Sequence, residues 1–232
     1  MGNNIGYLIL HGFGGSIREI ALLAQYLKDK GHIVAAPKLA GHTGKRRDLA
    51  KVRYCDWIAS AGQAYSQLRR QCEKVIVVGF SMGGLLAVHL AVQNKVAAMV
   101  MMNMPIYYWD FKRIVLNIRE DFKIGSYHHI KQYLKTSFDK PLLSLIQFRI
   151  LLSKTKPLLK QVKTPVFIVQ ALKDDTVQHR SAEYIHQHVA STDKRIKYYE
   201  NAGHIICQSA AAAQAFEDVY TFVQDVMKKA EK

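Results

Sequence analysis

Short apolar runs alternate with longer amphipathic stretches along most of this chain. Most of the short runs are continuous in Val, Ile and Leu, which is typical of strands buried on both faces. The runs that predict strands are residues 7–10, 32–36, 74–78, 96–102, 165–170 and 196–199. Strands that alternate with helices predict βαβ units, and therefore an α/β fold with a mostly parallel sheet of about six strands flanked by helices.

Between the strands, apolar residues recur with helical spacing. The predicted helices are residues 17–30, 56–70, 82–93, 179–189 and 210–229. In the first of them, Ile20, Leu23 and Leu27 lie on one apolar stripe. Gly31 follows that stripe and is expected to end the helix.

One long segment interrupts this alternation, because no clear strand is found between residues 105 and 162. Its apolar residues have helical spacing in two groups, which are Ile114, Ile118 and Phe122, and then Leu142, Leu145 or Ile146, and Leu152. A long helical insertion often carries function, and ligands bind at the carboxyl edge of α/β sheets. We therefore predict a single domain, residues 1–232, in which residues 105–162 form a small helical cap over that edge.

Composition narrows the class of protein. A chain of 232 residues fits one domain with a sizeable core, and no apolar run reaches the 18 residues that a membrane-spanning helix needs. Lys plus Arg (33) exceed Asp plus Glu (18) by 15, but the basic residues are spread along the chain. No nucleic-acid motif accompanies them, so we expect a solvated basic surface and no nucleic-acid partner. Cys55, Cys72 and Cys207 have no C-x-x-C spacing, which favours a reducing, cytoplasmic location.

The strongest chemical motif is Gly79-Phe80-Ser81-Met82-Gly83, which has the G-x-S-x-G pattern. A predicted buried strand precedes it and a predicted helix follows it, as a tight strand-to-helix turn requires. Such a turn lifts the serine above the sheet edge in a strained conformation, and glycines on both sides avoid collisions. We predict Ser81 to be a nucleophile, with the Met82 N–H at the helix N-terminus aimed at a developing oxyanion.

A second motif, His11-Gly12-Phe13-Gly14-Gly15, follows the first strand directly. In hydrolases with such a serine turn, the second oxyanion donor lies in the loop after an earlier strand. The Phe13 N–H is the candidate donor here, and His11 is expected to shape the loop. The segment lacks G-x-G-x-x-G spacing and a Walker lysine, which disfavours a phosphate-binding loop.

A serine hydroxyl needs a base within hydrogen-bond reach, and the base needs a carboxylate that fixes its tautomer. His204 is the candidate base, because it lies in a short loop after the last strand, at the edge where Ser81 is expected. Asp174 and Asp175 follow the fifth strand at the same edge, and by position either can be the acid. Asp110 is a weaker candidate within the predicted cap. Neither H-E-x-x-H nor a Cys/His cluster occurs, so no metal or other cofactor is expected.

Taken together, these motifs resemble the small bacterial carboxylesterases and monoacylglycerol lipases of the α/β-hydrolase superfamily. The resembling stretches are residues 8–15, 39–42, 56–57, 77–84, 164–174 and 203–204, which together span almost the whole chain. The resemblance implies the α/β-hydrolase fold, Asp174 as the triad acid, and Phe13 and Met82 as oxyanion donors. The chain departs from the family at Thr43, where relatives usually carry glycine, and its first strand corresponds to the third strand of the fold.

These features predict a serine carboxylesterase that acts on short- to medium-chain esters through an acyl-enzyme on Ser81, with monoacylglycerols among the candidate substrates. An α/β hydrolase that cleaves a thioester, lactone or amide is the alternative, because fold and triad do not separate these bonds. A binding protein with this fold would carry a damaged triad, whereas all three members are present here. A cap varies most between relatives, so the resemblance does not fix the substrate.

Overall fold

A six-stranded sheet forms the centre of the computed structural model, which describes residues 5–108, 125 and 141–230. Its strands are Ile5–Leu10 (β1), Ile33–Ala35 (β2), Lys74–Phe80 (β3), Ala98–Met102 (β4), Val166–Ala171 (β5) and Lys194–Tyr199 (β6). Neighbouring strands pair in parallel in the order β2-β1-β3-β4-β5-β6. The predicted α/β fold is confirmed, and each predicted strand is found with its ends shifted by at most two residues.

Successive residues of the central strands point alternately into two hydrophobic layers. In β3, Val75 and Val77 lie in one layer, whereas Ile76 and Val78 lie in the other, and all four are buried. Burying one such side chain contributes roughly 1.5–3 kcal/mol. Because both faces of the strand are covered, both favour apolar residues, and the strand is a continuous apolar run in the sequence.

Helices cover both faces of the sheet. They are Ala21–Asp29 (α1), Arg46–Ala50 (α2), Tyr54–Arg69 (α3), Met82–Gln93 (α4), Leu142–Leu158 (α5), Arg180–His188 (α6) and Ala212–Lys229 (α7). Buried residues of α3, α4, α5 and α6 belong to one layer, and those of α1 and α7 belong to the other. The predicted first helix begins as a 3₁₀ turn, Ile17–Glu19, and α2 was not predicted. Among the described residues, no helix has the length and apolar character that crossing a membrane requires.

Helix α5 is the part of the predicted cap that the structure describes best. The predicted apolar face of this helix was wrong in part, because Leu142 is 72% exposed and Ile146 is 44% exposed. The other predicted group, Ile114, Ile118 and Phe122, lies outside the described residues.

The buried stripe of α5 contains two polar residues. Ser144 Oγ donates to the Pro141 carbonyl at 2.6 Å, and Thr155 Oγ1 donates to the Leu151 carbonyl at 2.7 Å. Both hydroxyls are therefore satisfied by the helix's own backbone, and Thr155 Oγ1 also lies 3.1 Å from His89 Nε2, so both residues can be buried in the core. A search for apolar spacing cannot find such a stripe.

The carboxyl ends of the parallel strands bring several loops to one edge of the sheet. β1 runs into residues 12–15, here called the glycine loop, and β3 runs into Ser81. The loops that carry Asp174 and His204 follow β5 and β6. The strand order changes direction between β1 and β3, and ligands of α/β proteins bind at such a switch point.

Candidate active site

Ser81 occupies the tight turn between β3 and α4. Its backbone has φ 51° and ψ −119°, and a positive φ is uncommon outside glycine. A Cβ on Gly79 would overlap the backbone of Gly83, and a Cβ on Gly83 would overlap the carbonyl of Leu10. The Ser81 N–H donates to the Met102 carbonyl at 2.8 Å, which ties the strained residue to β4. Both glycines of the motif are thus required by close backbone contacts.

Three side chains that lie far apart in the sequence form a hydrogen-bonded chain at this edge. His204 Nδ1 lies 2.8 Å from Asp174 Oδ2, and His204 Nε2 lies 3.2 Å from Ser81 Oγ. An ionised carboxylate only accepts, so Nδ1 carries the ring proton and Nε2 presents its lone pair to the Ser81 hydroxyl. This arrangement allows Nε2 to take the hydroxyl proton.

The structure distinguishes the two neighbouring aspartates that sequence position left open. The side chain of Asp174 is fully buried, and its Oδ1 accepts the N–H groups of Thr176 and Val177, each at 2.8 Å. These bonds leave Oδ2 directed at His204. Asp175 is only half-buried, and its Oδ1 accepts the Thr176 hydroxyl at 3.1 Å. Asp110 lies outside the described residues.

The electrostatic surroundings of His204 favour its charged form. Burial lowers the pKa of His204, but the negative charges of Asp174, Glu19 and Asp175 act in the opposite direction. The net result is a pKa above the ordinary value for histidine. A histidine with a raised pKa holds a proton more strongly once it has accepted one. This stabilises a reaction intermediate in which the imidazole ring is protonated.

His42, a residue for which the sequence predicted no role, accepts a hydrogen bond from the glycine loop. The Gly15 N–H closes the loop on the Gly12 carbonyl at 3.3 Å, and the Gly14 N–H donates to His42 Nε2 at 3.0 Å. His42 Nδ1 lies 2.9 Å from the Ala40 carbonyl, which fixes the tautomer that accepts at Nε2. The sequence signal for His42 was its position in residues 39–42, one of the stretches that resemble the small carboxylesterases and monoacylglycerol lipases.

His11 connects the base of the glycine loop to the neighbouring loop. Its Nδ1 lies 2.9 Å from the Gly12 carbonyl, and its Nε2 accepts the Leu39 N–H at 3.3 Å. Burial lowers the pKa of His11 to about 4, so the ring is neutral at neutral pH. These contacts agree with the expected loop-shaping role.

The two predicted oxyanion donors belong to segments that lie next to Ser81. Met82 is the first residue of α4, and the first N–H groups of a helix have no acceptor within the helix. Phe13 lies in the glycine loop, next to Gly12, where a Cβ would come within 3.4 Å of the Ser81 Cβ. The loop that carries the Phe13 N–H therefore packs directly against Ser81.

Aromatic side chains line the side of the site next to Phe13. The Phe13 ring stacks on Phe148 of α5 with 5.0 Å between ring centroids, and it contacts Trp57 edge-on at 5.6 Å. Phe148 in turn meets Tyr108 edge-on at 5.8 Å. This row of rings links the glycine loop to the described part of the predicted cap and provides an apolar wall.

Asn103 is a further polar residue that the sequence analysis missed. It follows β4, is fully buried and has φ 47°. Its Oδ1 accepts the Ala171 N–H at 2.8 Å, and its Nδ2 donates to the His204 and Gly203 carbonyls at 2.6 and 3.4 Å. One side chain thus ties the end of β5 to the loop that carries His204. The only sequence signal was an asparagine directly after an apolar strand.

Comparisons with known proteins found similarity over most of the chain. The model of a family described as the Alpha/beta hydrolase family matches residues 7–219. The chain is 26% identical over 231 residues to a carboxylesterase of Bacillus subtilis (strain 168), covering 96% of this chain and 94% of the relative. It is 29% identical over 210 residues to a thermostable monoacylglycerol lipase of Bacillus sp. (strain H-257), covering 87% and 83%.

A solved structure shows that the fold is shared over almost the full length. This structure belongs to work on LipS and LipT, two metagenome-derived lipolytic enzymes. The TM-score is 0.81 at 23% sequence identity, and the match covers 97% of this chain and 95% of that chain.

Proposed function

This chain belongs to the alpha/beta hydrolase family, and we propose that it is a serine carboxylesterase that forms an acyl-enzyme on Ser81. The observation that carries the proposal is the hydrogen-bonded chain from Ser81 Oγ through His204 to Asp174. Two curated relatives, a carboxylesterase and a monoacylglycerol lipase, support an ester as the bond that is cleaved.

In the first half of the reaction, the acyl group is transferred to the enzyme. His204 Nε2 takes the Ser81 proton while Ser81 Oγ attacks the ester carbonyl carbon. The Phe13 and Met82 N–H groups bind the oxyanion, and one such donor contributes roughly 2.7–4 kcal/mol in comparable enzymes. The bond to the alcohol oxygen then breaks, and His204 gives its proton to the departing alcohol.

In the second half, water replaces the alcohol. His204 Nε2 takes a proton from the water, whose oxygen attacks the acyl carbon, and the same N–H groups bind the second oxyanion. When the bond to Ser81 Oγ breaks, His204 returns the proton to the serine. Asp174 Oδ2 accepts a hydrogen bond from the His204 Nδ1–H throughout, and its negative charge stabilises the imidazolium in both halves.

The proposed substrates are uncharged esters with short to medium acyl chains, monoacylglycerols included. The row formed by Phe13, Phe148 and Tyr108 supports an apolar acyl pocket beside the oxyanion donors. Burial of each CH₂ contributes about 0.8 kcal/mol until the pocket is full. We further propose that residues 105–162 act as the cap of this pocket, with Phe148 as its contact with the glycine loop.

A cytoplasmic location is part of the proposal. Cys55, Cys72 and Cys207 are all free thiols, and Cys72 and Cys207 are buried. Free thiols persist in reducing compartments, whereas oxidising compartments favour disulfides.

A panel of p-nitrophenyl esters from acetate to palmitate, with matched amide and thioester substrates, tests the proposal. We expect kcat/KM to rise with acyl length and then to fall once the pocket is full. Ser81→Ala should lower kcat at least about 10³-fold, whereas Ser66→Ala, at an exposed serine of α3, should change nothing.

Each contrary result of this panel has its own meaning. A steady rise through palmitate would contradict the short to medium chain length. Turnover of the thioester or amide without turnover of any ester would contradict the proposed bond. Full activity of Ser81→Ala would contradict the proposed nucleophile.

A further inference from the structure

The carboxylate of Glu19 contacts the glycine loop at its first and last residues. Glu19, in the 3₁₀ turn Ile17–Glu19, accepts the Gly12 N–H through Oε2 at 3.0 Å. A Cβ on Gly15 would overlap the carboxylate, and a Cβ on Gly12 would lie 3.2 Å from Oε2. The carboxylate of Glu19 thus contacts the loop on both sides of Phe13.

The loop has little freedom on its other sides. The Gly14 N–H donates to His42 Nε2 at 3.0 Å. Gly12 packs so closely on the nucleophile turn that a Cβ there would lie 3.3 Å from the Phe80 ring and 3.4 Å from the Ser81 Cβ. The position of the loop relative to Ser81 therefore depends on what holds Gly12. Its carbonyl is bonded to the His11 ring, and its N–H is bonded to Glu19.

We propose that Glu19 is a positioning residue. By binding the Gly12 N–H it fixes the glycine loop and so keeps the Phe13 N–H directed at an oxyanion formed on Ser81. This inference rests on the proposed function. An oxyanion donor must lie about 2.7–3.1 Å from the oxygen it stabilises, so a small shift of the loop weakens it. Glu19 touches no reacting atom and acts through the backbone of Gly12.

The negative charge of Glu19 gives a second effect that a purely structural residue would lack. His204 is faced by three carboxylates, those of Asp174, Glu19 and Asp175, and their charges raise its pKa against the lowering by burial. Cys207 is also close enough to feel the charge of Glu19, but burial raises the pKa of this thiol to about 12, so it is neutral and adds no charge of its own. Removing the charge of Glu19 should therefore lower the pKa of His204.

Glu19→Gln and Glu19→Ala separate the two effects. Glutamine keeps an oxygen that can accept the Gly12 N–H but removes the charge, whereas alanine removes both. Glu217→Gln is the matched control, because Glu217 is an exposed carboxylate of α7 that accepts the Tyr26 hydroxyl.

The first measurement is an NMR titration, which needs no substrate. We expect Glu19→Gln to lower the pKa of His204, and by less than the 1–3 units typical of a direct ion pair. Glu217→Gln should leave it unchanged. Glu19→Ala should also move the backbone amide resonances of Gly12 and Phe13, whereas Glu19→Gln should move them less.

The second measurement is ester hydrolysis at a pH where His204 is neutral. Glu19→Gln should keep kcat within about threefold, whereas Glu19→Ala should lower kcat about 10- to 100-fold with little change in KM. This loss is smaller than the 10²–10³-fold loss typical when an oxyanion donor is removed outright.

A double-mutant cycle identifies the route of the effect. Gly15→Ala places a Cβ where the Glu19 carboxylate lies, so it should lower kcat by displacing that carboxylate. If so, Gly15→Ala combined with Glu19→Ala should be no worse than Glu19→Ala alone. Additive losses would overturn the proposal. Thermal unfolding of every variant confirms that the comparison is between folded proteins.

The outcomes distinguish this inference from the proposed function. Parental kcat and unmoved Gly12 and Phe13 resonances in Glu19→Ala, or a pKa of His204 that Glu19→Gln does not lower, would overturn the role of Glu19. If the parent hydrolyses no ester, the proposed function fails. The amide resonances of Gly12 and Phe13 and the pKa of His204 then decide on their own whether Glu19 holds the loop and raises that pKa.

Discussion

Asp174→Asn is the substitution whose effect the geometry defines most closely. Asp174 Oδ1 accepts two backbone N–H groups, from Thr176 and Val177. In the variant, the side-chain oxygen of the asparagine must keep accepting these two N–H groups, because an NH₂ group in its place would put donors against donors. The NH₂ group is then left facing His204 Nδ1, which must become the acceptor.

The change of tautomer accounts for the size of the expected loss. When Nδ1 accepts, the ring proton moves to Nε2, and Nε2 no longer accepts the Ser81 hydroxyl proton. The same change in a serine protease triad lowers kcat about 10⁴-fold, which corresponds to about 5 kcal/mol. Asp175→Asn leaves the Asp174 bonds in place and removes only a distant charge from His204, so its loss should stay below about tenfold.

Steady-state hydrolysis of p-nitrophenyl butyrate by the parent and the two variants measures this difference. Thermal unfolding of all three proteins provides the control for folding. A larger loss in Asp175→Asn than in Asp174→Asn would refute the assignment of the acid. A loss of less than about tenfold in Asp174→Asn would refute the argument from the tautomer.

Two further predictions follow from the same site. Only neutral His204 can accept the serine proton, and the pKa of His204 lies above the ordinary 6.5. We therefore expect kcat/KM to rise with pH, with a midpoint above 6.5. A midpoint below 6.5 would contradict a raised pKa of His204. Asn103→Ala removes the bonds to Ala171 and His204 and should cost about 1–3 kcal/mol of unfolding free energy together with a fall in kcat. The control is Asn94→Ala, which removes a hydrogen bond to Leu90 at the far end of α4 and should lower stability without lowering kcat. Equal kcat values in the two variants would contradict the idea that Asn103 positions the loop of His204.

The sheet and the tight turn at Ser81 could be predicted because their causes are local in the sequence. A strand covered on both faces, such as β3, must be apolar at every position, and that run is visible directly. The turn at Ser81 needs glycines at fixed offsets, because the backbones of Gly83 and Leu10 approach too closely for a side chain. Position alone left Asp174 and Asp175 open, since only the fold decides which of two neighbours points at His204.

The supporting residues could not be predicted, because their partners are distant in sequence or are backbone atoms. Asn103 bonds to the backbone of Ala171, 68 residues away, and to the backbone of His204, 101 residues away. The Glu19 carboxylate contacts the glycine loop at Gly12 and Gly15, and nothing in the spacing of residues indicates that contact. The buried hydroxyls of α5 were missed for the same reason, since backbone carbonyls satisfy them.

Trapping the acyl-enzyme tests the central claim most directly. The parent is mixed with a p-nitrophenyl ester, quenched in acid during turnover, digested with trypsin and analysed by mass spectrometry. The fragment of residues 75–95 contains Ser81 as its single serine, so the account predicts the added mass of one acyl group on this fragment. The adduct should be absent in Ser81→Ala and present in Ser66→Ala. An acyl group on another fragment, with Ser81 unmodified while the ester is being hydrolysed, would contradict the account.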